Sequence, residues 1–154
     1  MLSMTAAREP MTRRVVVVPP ALLLSDAWRM MKQGGFRHLP VVEAGCLVGI
    51  ISDRDILLHS SPLGQGVIEV DGVTVAEVMT PAPYVCEPQT DVTDLVRTMT
   101  EMKIDAVPVV DAADKLIGLV TSTDLLLLLI TLDEAKVPIP FSFEIEEQAF
   151  EALS

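Results

Sequence analysis

The sequence predicts an α/β (α+β) fold of two like halves packed as a pseudo-two-fold pair, each half a small sheet with flanking helices. Three observations carry this expectation. The chain repeats itself. Each copy alternates apolar runs of strand length with stretches of helical periodicity. Each copy is also half-sized and cannot bury its own core, so the two should pack face to face.

The repeat is read directly. Glu9–Glu43 overlays Glu77–Asp111 at a constant offset of 68, with 11 of 35 positions identical. Matches include Met11/Met79, Thr12/Thr80, Pro20/Pro88, Asp26/Asp94, Arg29/Arg97, Met31/Met99 and Pro40/Pro108. One inserted residue then shifts the offset to 69, which aligns Gly49 with Gly118, Asp55 with Asp124 and Leu57–Leu58 with Leu126–Leu127. The period is too long and the copies too few for a solenoid. The organisation is therefore repeat 1 at 7–60, a connector at 61–73, repeat 2 at 74–130 and a C-terminal extension at 131–154.

Each copy has one grammar. A short helical lead-in comes first, punctuated by Pro10 or Pro81, and Thr74 and Glu77 have the spacing of a capping box. An extended piece follows, Val15–Val18 or Tyr84–Cys86. Leu24, Ala27, Trp28 and Met31 then recur at helical spacing, as do Val92, Leu95, Val96 and Met99. Ser25 or Thr90 is the expected N-cap, and Gly34–Gly35 ends the first helix. The runs Leu39–Val42 and Leu47–Ile51 read as buried strands around a tight turn at Glu43–Cys46. Their partners are Val107–Val110 and Leu116–Val120, around Asp111–Lys115. Final helices are expected at Asp53–Ser60 and Ser122–Ile130. Gly and Asp make the connector loop-like. In the extension, Pro138 and Pro140 break helix, and Glu144–Leu153 fits either a short acidic helix or a loose tail. Leu125–Ile130 is apolar nearly all round, so it is either deeply central or covered by a partner subunit; a subunit interface is the expectation.

Composition narrows the function. The 154 residues are 50% apolar, and mean hydropathy is +0.45. The longest apolar run has only six residues, Leu125–Ile130, too short to span a bilayer. The first residues lack the apolar stretch of a secretory signal. Net charge is −11, which repels free nucleic acid and anionic membrane. Neither partner is expected, and nor is membrane insertion. Aromatics at 4% argue against stacking platforms for single strands. Cys46 and Cys86 have no metal-like spacing, and a reduced, cytoplasmic chain is expected. The two histidines, His38 and His59, lie in different elements, and no zinc cluster, nucleophile elbow, Walker loop or dinucleotide fingerprint is present. The chain is expected to be no enzyme and to carry no cofactor or metal.

The chemistry that remains lies where each second strand ends. Gly49-Ile-Ile-Ser52-Asp-Arg54-Asp55 in the first copy matches Gly118-Leu-Val-Thr121-Ser-Thr123-Asp124 in the second. A hydroxyl residue leaves the strand, and a carboxylate follows in the first helical turn. Capping alone accounts for this pattern. A second reading uses the same geometry: the helix N-terminus offers N–H groups to an anion and the carboxylate accepts ribose hydroxyls. Both strands would point to one end of the sheet, so both sites would line one cleft suited to a nucleoside phosphate.

These residues, taken in order, resemble the tandem CBS-domain pair, or Bateman module, over residues 7–130. The marks are Glu77-Val-Met-Thr-Pro81 and Glu9-Pro-Met-Thr12, Arg37-His-Leu-Pro-Val-Val42 and Ala106-Val-Pro-Val-Val110, and the two Gly-x-x-Ser/Thr-x-x-Asp endings. The resemblance implies a non-catalytic module that binds AMP, ADP or ATP between the repeats, each pocket mixing both copies. Carried over, site one takes Ser52, Arg54 and Asp55 for ribose and phosphate, Pro83, Tyr84, Val85 and Ala106 around the base, and Arg37 and His38 near the phosphate. Site two takes Thr121, Thr123 and Asp124, with Val15, Val16 and His38 near the base. Asp105 and Ala106 stand at its phosphate position, where the family often has a basic residue, so site one is expected to be the better phosphate site. Arg37 and Arg54 also read as solvated charges, and His38 as a hydrogen-bonded, half-buried side chain. The resemblance further implies a flat homodimer through helices and the regulation of a separate enzyme or transporter. The alternatives are a dimeric adaptor with vestigial clefts and a sensor of another ligand such as S-adenosylmethionine.

Overall fold

The structure is a computed structural model that describes residues 5–64, 67–69 and 72–134. The first repeat runs α1 (Leu24–Gly34), β1 (His38–Glu43), β2 (Cys46–Ser52) and α2 (Asp53–Leu58). A hairpin, β3 (Ser61–Gly64) and β4 (Val67–Glu69), leads to α3 (Val75–Val78) and β5 (Thr80–Pro81). The second repeat runs α4 (Val92–Met102), β6 (Ala106–Val110), β7 (Leu116–Thr121) and α5 (Ser122–Glu134). β1 pairs antiparallel with β2 from His38 opposite Ser52, and β6 with β7 from Ala106 opposite Thr121. Both hairpins carry a bulge at the same place, between Val41 and Val42 and between Val109 and Val110. The expected extended pieces join as single parallel bridges, Val18 to Val41 and Cys86 to Val109.

The first hairpin closes through Ala44 and Gly45, both at positive φ (51° and 80°), the geometry of a type I′ turn. The second turn is stitched by Asp111, whose Oδ1 accepts from the Ala113 and Lys115 N–H groups at 2.8 and 3.0 Å.

The described residues form two core clusters, and each borrows from the other copy. Leu24, Trp28, Met31, Leu39, Val41, Ile51 and Ile56 enclose Val75 of α3, with Val73, Val78 and Met79 packed against them. The second core holds Ala7 and Met11 together with Cys86, Leu95, Met99, Val107, Val109 and Val120. Each lead-in thus completes the core of the opposite repeat. Backbone bonds fix the exchange: Leu24 N–H to Val73 C=O and Val75 N–H to Leu22 C=O on one side, Ala7 N–H to Thr90 C=O and Val92 N–H to Thr5 C=O on the other, all at 2.8 Å. Burial pushes the Cys86 thiol up to about 11, helped by Glu87, and it packs as a small hydrophobe away from exposed Cys46.

The aligned glycines have a shared reason. A Cβ at Gly49 would meet Met79 Sδ and, at 3.0 Å, the Thr80 carbonyl oxygen; one at Gly118 would meet Met11 Sδ at 2.6 Å and the Thr12 carbonyl oxygen at 3.0 Å. Each glycine is the seat on which the exchanged Met-Thr backbone lies.

Several expectations are corrected. Ser25 lies inside α1, whose N-cap is Leu23 without a side-chain bond; α4 is capped by Asp91, which accepts from Thr93 N–H at 2.7 Å, and not by Thr90. The main chain of the neighbouring lead-in already serves the start of α1 at Leu24, which removes the need for a hydroxyl there. The capping box of α3 does form, with Glu77 Oε2 accepting from Thr74 N–H at 2.7 Å. The first lead-in, by contrast, is a turn and not a regular helix. The connector is a hairpin, Ser61–Gly64 against Val67–Glu69, since the β-branched run after Gly64 pairs back on the chain. Helix α5 continues to Glu134, past the expected end at Ile130, and α2 stops at Leu58. Leu125–Ile130 is not central: Leu126, Leu127 and Ile130 are 62%, 56% and 57% exposed. Beside them lies a groove of about 530 Å³ between α4 and α5, walled by Val92, Val96, Met99, Ile104, Leu125 and Leu129. The expectation for Glu144–Leu153 lies outside the described residues. Among the described residues, no helix is long and apolar enough to cross a membrane.

Gly49→Ala and Gly118→Ala should each cost about 1–3 kcal/mol, because a Cβ at either position meets a main-chain carbonyl oxygen at 3.0 Å and displaces the methionine sulfur beside it. Urea unfolding measures this; a cost near zero at either position would show that the seat is not tight.

Candidate functional site

Each site is built at a strand-to-helix corner. Ser52 leaves β2 in extended conformation (φ −108°, ψ 162°) and caps α2. Its Oγ accepts from Asp55 N–H at 3.1 Å, and Asp55 Oδ2 accepts from Ser52 N–H at 2.8 Å. Thr121 and Asp124 repeat the pair at the start of α5, with bonds of 3.2 and 2.9 Å. The hairpin registers place His38 beside Ser52 and Ala106 beside Thr121. The capping expected from sequence is therefore present at both corners.

The first corner opens on a cleft of about 410 Å³. It brings together Ser52, Arg54, Asp55, Arg37 and His38 with Pro83, Tyr84 and Ala106 of the other half. Val85 does not line it. Sequence reasoning missed Lys103 and Asp53 there, and it placed Asp105 at the second site alone, whereas Asp105 lines this cleft as well. Lys103 closes α4 in the left-handed region (φ 56°), where the first repeat has Gly35 (φ 71°). That Lys-for-Gly exchange is visible in the repeat overlay and was the available signal. A non-glycine residue held there stores about 1–2 kcal/mol of strain. The conformation is offset in part by the helix end it closes, where the Lys103 and Ile104 N–H groups bond the Met99 carbonyl.

The second corner opens on a smaller cleft of about 330 Å³, lined by Val15, Val16, His38, Thr121 and Thr123 as expected. Arg14, also missed, joins them; it directly precedes the Val15–Val16 wall. Asp124 is not part of this lining. Arg37, His38 and Asp105 line both clefts and stand at their junction.

The two carboxylates differ in what they already hold. Among the described residues, Asp55 accepts through its side chain only from Ser52 N–H. Asp124 accepts from Thr121 N–H at 2.9 Å, from Thr121 Oγ1 at 3.0 Å and from Thr12 Oγ1 at 3.1 Å. Among the described residues the Ser52 hydroxyl donates to none, whereas that of Thr121 is spent on Asp124.

Charge at the junction is mixed. Burial holds the His38 imidazole below the usual 6.5; Asp53, Asp105 and Asp55 oppose that shift and Arg37 adds to it. Arg37 Nε lies 3.5 Å from Asp53 Oδ2, an exposed pair worth little by itself and open to exchange for a ligand anion. Arg54 adds a second guanidinium at the first cleft. A cleft with a carboxylate that has acceptor positions to spare, three cations set among Asp53 and Asp105, and an aromatic ring can take hydroxyls, a phosphate and a flat base together. Among the described residues, no group of three or more His, Cys, Asp and Glu side chains could hold a metal ion.

Comparison with known proteins matches the CBS domain model at residues 7–61 and again at 75–131. The CBS domain-containing protein YhcV of Bacillus subtilis is 34% identical over 123 residues, covering 79% of this chain and 84% of YhcV. Other curated relatives are longer, and the chain spans about half or less of their length. Among solved structures, CBSX2 in complex with AMP, from Arabidopsis thaliana, superposes with a TM-score of 0.72 at 29% identity, over 83% of this chain and 98% of that one. The CBS domain pair of protein MJ0100, in complex with 5′-methylthioadenosine and S-adenosyl-L-methionine, gives 0.70 at 27% identity, over 81% and 99%.

Lys103→Gly should separate strain from function. Relief of the left-handed strain raises stability by about 1 kcal/mol, while loss of the ammonium weakens any anion held in the first cleft. Thermal unfolding, with and without a phosphorylated ligand, reads both effects; a variant no more stable than the parent would remove the strain argument.

Proposed function

The chain belongs to the CBS-domain family as a tandem pair, and we propose that it is a non-catalytic regulatory module whose first cleft takes up an adenine nucleotide. The observation that carries this reading is the composition of that cleft. It joins Asp55 with acceptor positions to spare, the free Ser52 hydroxyl, and Arg37, Arg54 and Lys103, opposite Tyr84 and Pro83. In the proposed roles, Asp55 holds the ribose, the Ser52 hydroxyl with Arg37, Arg54 and His38 meets the phosphate, and Pro83, Tyr84 and Ala106 flank the base. The AMP held by CBSX2 and the S-adenosyl compound held by the MJ0100 pair support an adenosine-containing ligand. The second of these keeps S-adenosylmethionine as the competing ligand. A cytoplasmic setting suits either compound.

Output in this reading runs through association. The apolar groove of about 530 Å³ between α4 and α5, with Leu126, Leu127 and Ile130 exposed beside it, supports a homodimer through these helices. A separate enzyme or transporter would read the state of that dimer.

Two outcomes test the proposal. AMP, ADP or ATP at about 100 times its Kd should raise the melting temperature by several degrees, from about 2.7 kcal/mol of linkage. Asp55→Asn, which keeps the side chain's size, should abolish the shift, and Asp124→Asn should not. A shift given by S-adenosylmethionine alone would transfer the assignment to that ligand. Leu127→Glu should convert a dimer to a monomer in sedimentation; a parent chain already monomeric at tens of micromolar would remove the dimer.

A further inference from the structure

We infer that Thr12 is a gate on the second cleft, which it lines: its hydroxyl occupies the neighbouring Asp124 carboxylate, so the chain fills the Asp55 cleft first and the second cleft only when the Thr12–Asp124 bond opens and frees Asp124 for a ligand there. This rests on the nucleotide-binding reading above and adds to it an order of filling and the residue that sets it.

The argument is a count of acceptor positions. A carboxylate offers about four lone-pair sites. At Asp124 three donors are already engaged: Thr121 N–H, the Thr121 hydroxyl and the Thr12 hydroxyl, the last at 3.1 Å from Oδ1 and 3.3 Å from Oδ2. One position is left, and the vicinal diol of a ribose needs two. At Asp55 the same count leaves room, because among the described residues Ser52 N–H alone donates to it.

The residue aligned with Thr12 is Thr80, so the difference is not one of residue type. Both threonines are held by the same main-chain frame. Thr80 pairs with Ile50, and Thr12 exchanges two bonds with Leu119, at 2.8 and 3.0 Å. Met11, buried and seated over Gly118, fixes the residue before it. The hydroxyl of Thr80 makes no bond to Asp55, whereas that of Thr12 reaches Asp124 from 112 residues away in sequence. With the backbone pinned, a χ1 rotation of Thr12 is enough to break the bond. The chain then runs through Arg14 into Val15 and Val16, the wall of the same cleft. The gate therefore stands at the root of that wall.

Calorimetric titration with AMP tests this on the parent chain, Thr12→Val and Thr12→Ser. Thr12 is exposed, so valine in its place leaves the core untouched. The parent should show one site per chain in the working range. Thr12→Val should reveal a second site tightened about tenfold, the scale of one hydrogen bond, and Thr12→Ser should restore the parent pattern. A double-mutant cycle of Thr12→Val with Asp124→Ala, read by urea midpoint without ligand, should be non-additive. Two equal sites in the parent, one site in both parent and Thr12→Val, or an additive cycle would each overturn the gate. A coupled cycle with no AMP taken up by any variant would overturn the nucleotide reading and the gate with it.

Discussion

The structure depends on two places where one backbone lies against another with no side chain between them. Met79-Thr80 rests on Gly49, and Met11-Thr12 rests on Gly118. Through these seats each lead-in reaches across the molecule and completes the core of the opposite repeat, bringing Val75 into one and Ala7 and Met11 into the other. Fully burying a valine or methionine side chain contributes about 1.5–3 kcal/mol, and the alanine less, so the exchange is a substantial part of what joins the halves. The clefts follow from it. Pro83 and Tyr84 face Asp55 because they continue the strand seated on Gly49, and Val15 and Val16 reach the second corner because they continue the segment seated on Gly118.

Duplication gives the frame and divergence gives the function. The two corners share their capping geometry to within a few tenths of an ångström. Their chemistry differs in a handful of substitutions. Arg37 became Asp105, His38 became Ala106 and Gly35 became Lys103 across the overlay, so charge gathers unevenly about the junction. In a chain of net charge −11, Arg37, Arg54 and Lys103 around the first cleft are matched by Asp53, Asp55 and Asp105, so that lining is balanced where the chain as a whole is acidic.

Much of this was legible before any coordinates. The repeat arithmetic gave the paired architecture, and apolar runs placed the four principal strands within a residue or two. The Ser/Thr-x-x-Asp endings gave the corners. What failed to show had physical causes. Ser25 reads as a cap because local sequence cannot reveal that the Val73 carbonyl arrives to bind Leu24 N–H. The connector reads as loop because its glycines outweigh, in a local view, the β-branched run that pairs back to Ser61–Gly64. Arg14 and Lys103 escaped because each sits next to a recognised element and not within one. The Thr12–Asp124 bond joins side chains 112 positions apart, which no spacing rule connects.

The crossed lead-ins also bear on ancestry. A single copy, expressed alone, would carry a lead-in with no seat of its own and a glycine seat with nothing on it. Its simplest remedy is a second identical molecule and a reciprocal trade of arms, which makes an obligate symmetric pair. Fusion of two such genes places both arms in one polypeptide and frees them from identity. Within one polypeptide the two arms need not be alike, and the aligned Thr12 and Thr80 already differ in that the Thr12 hydroxyl reaches the Asp124 carboxylate.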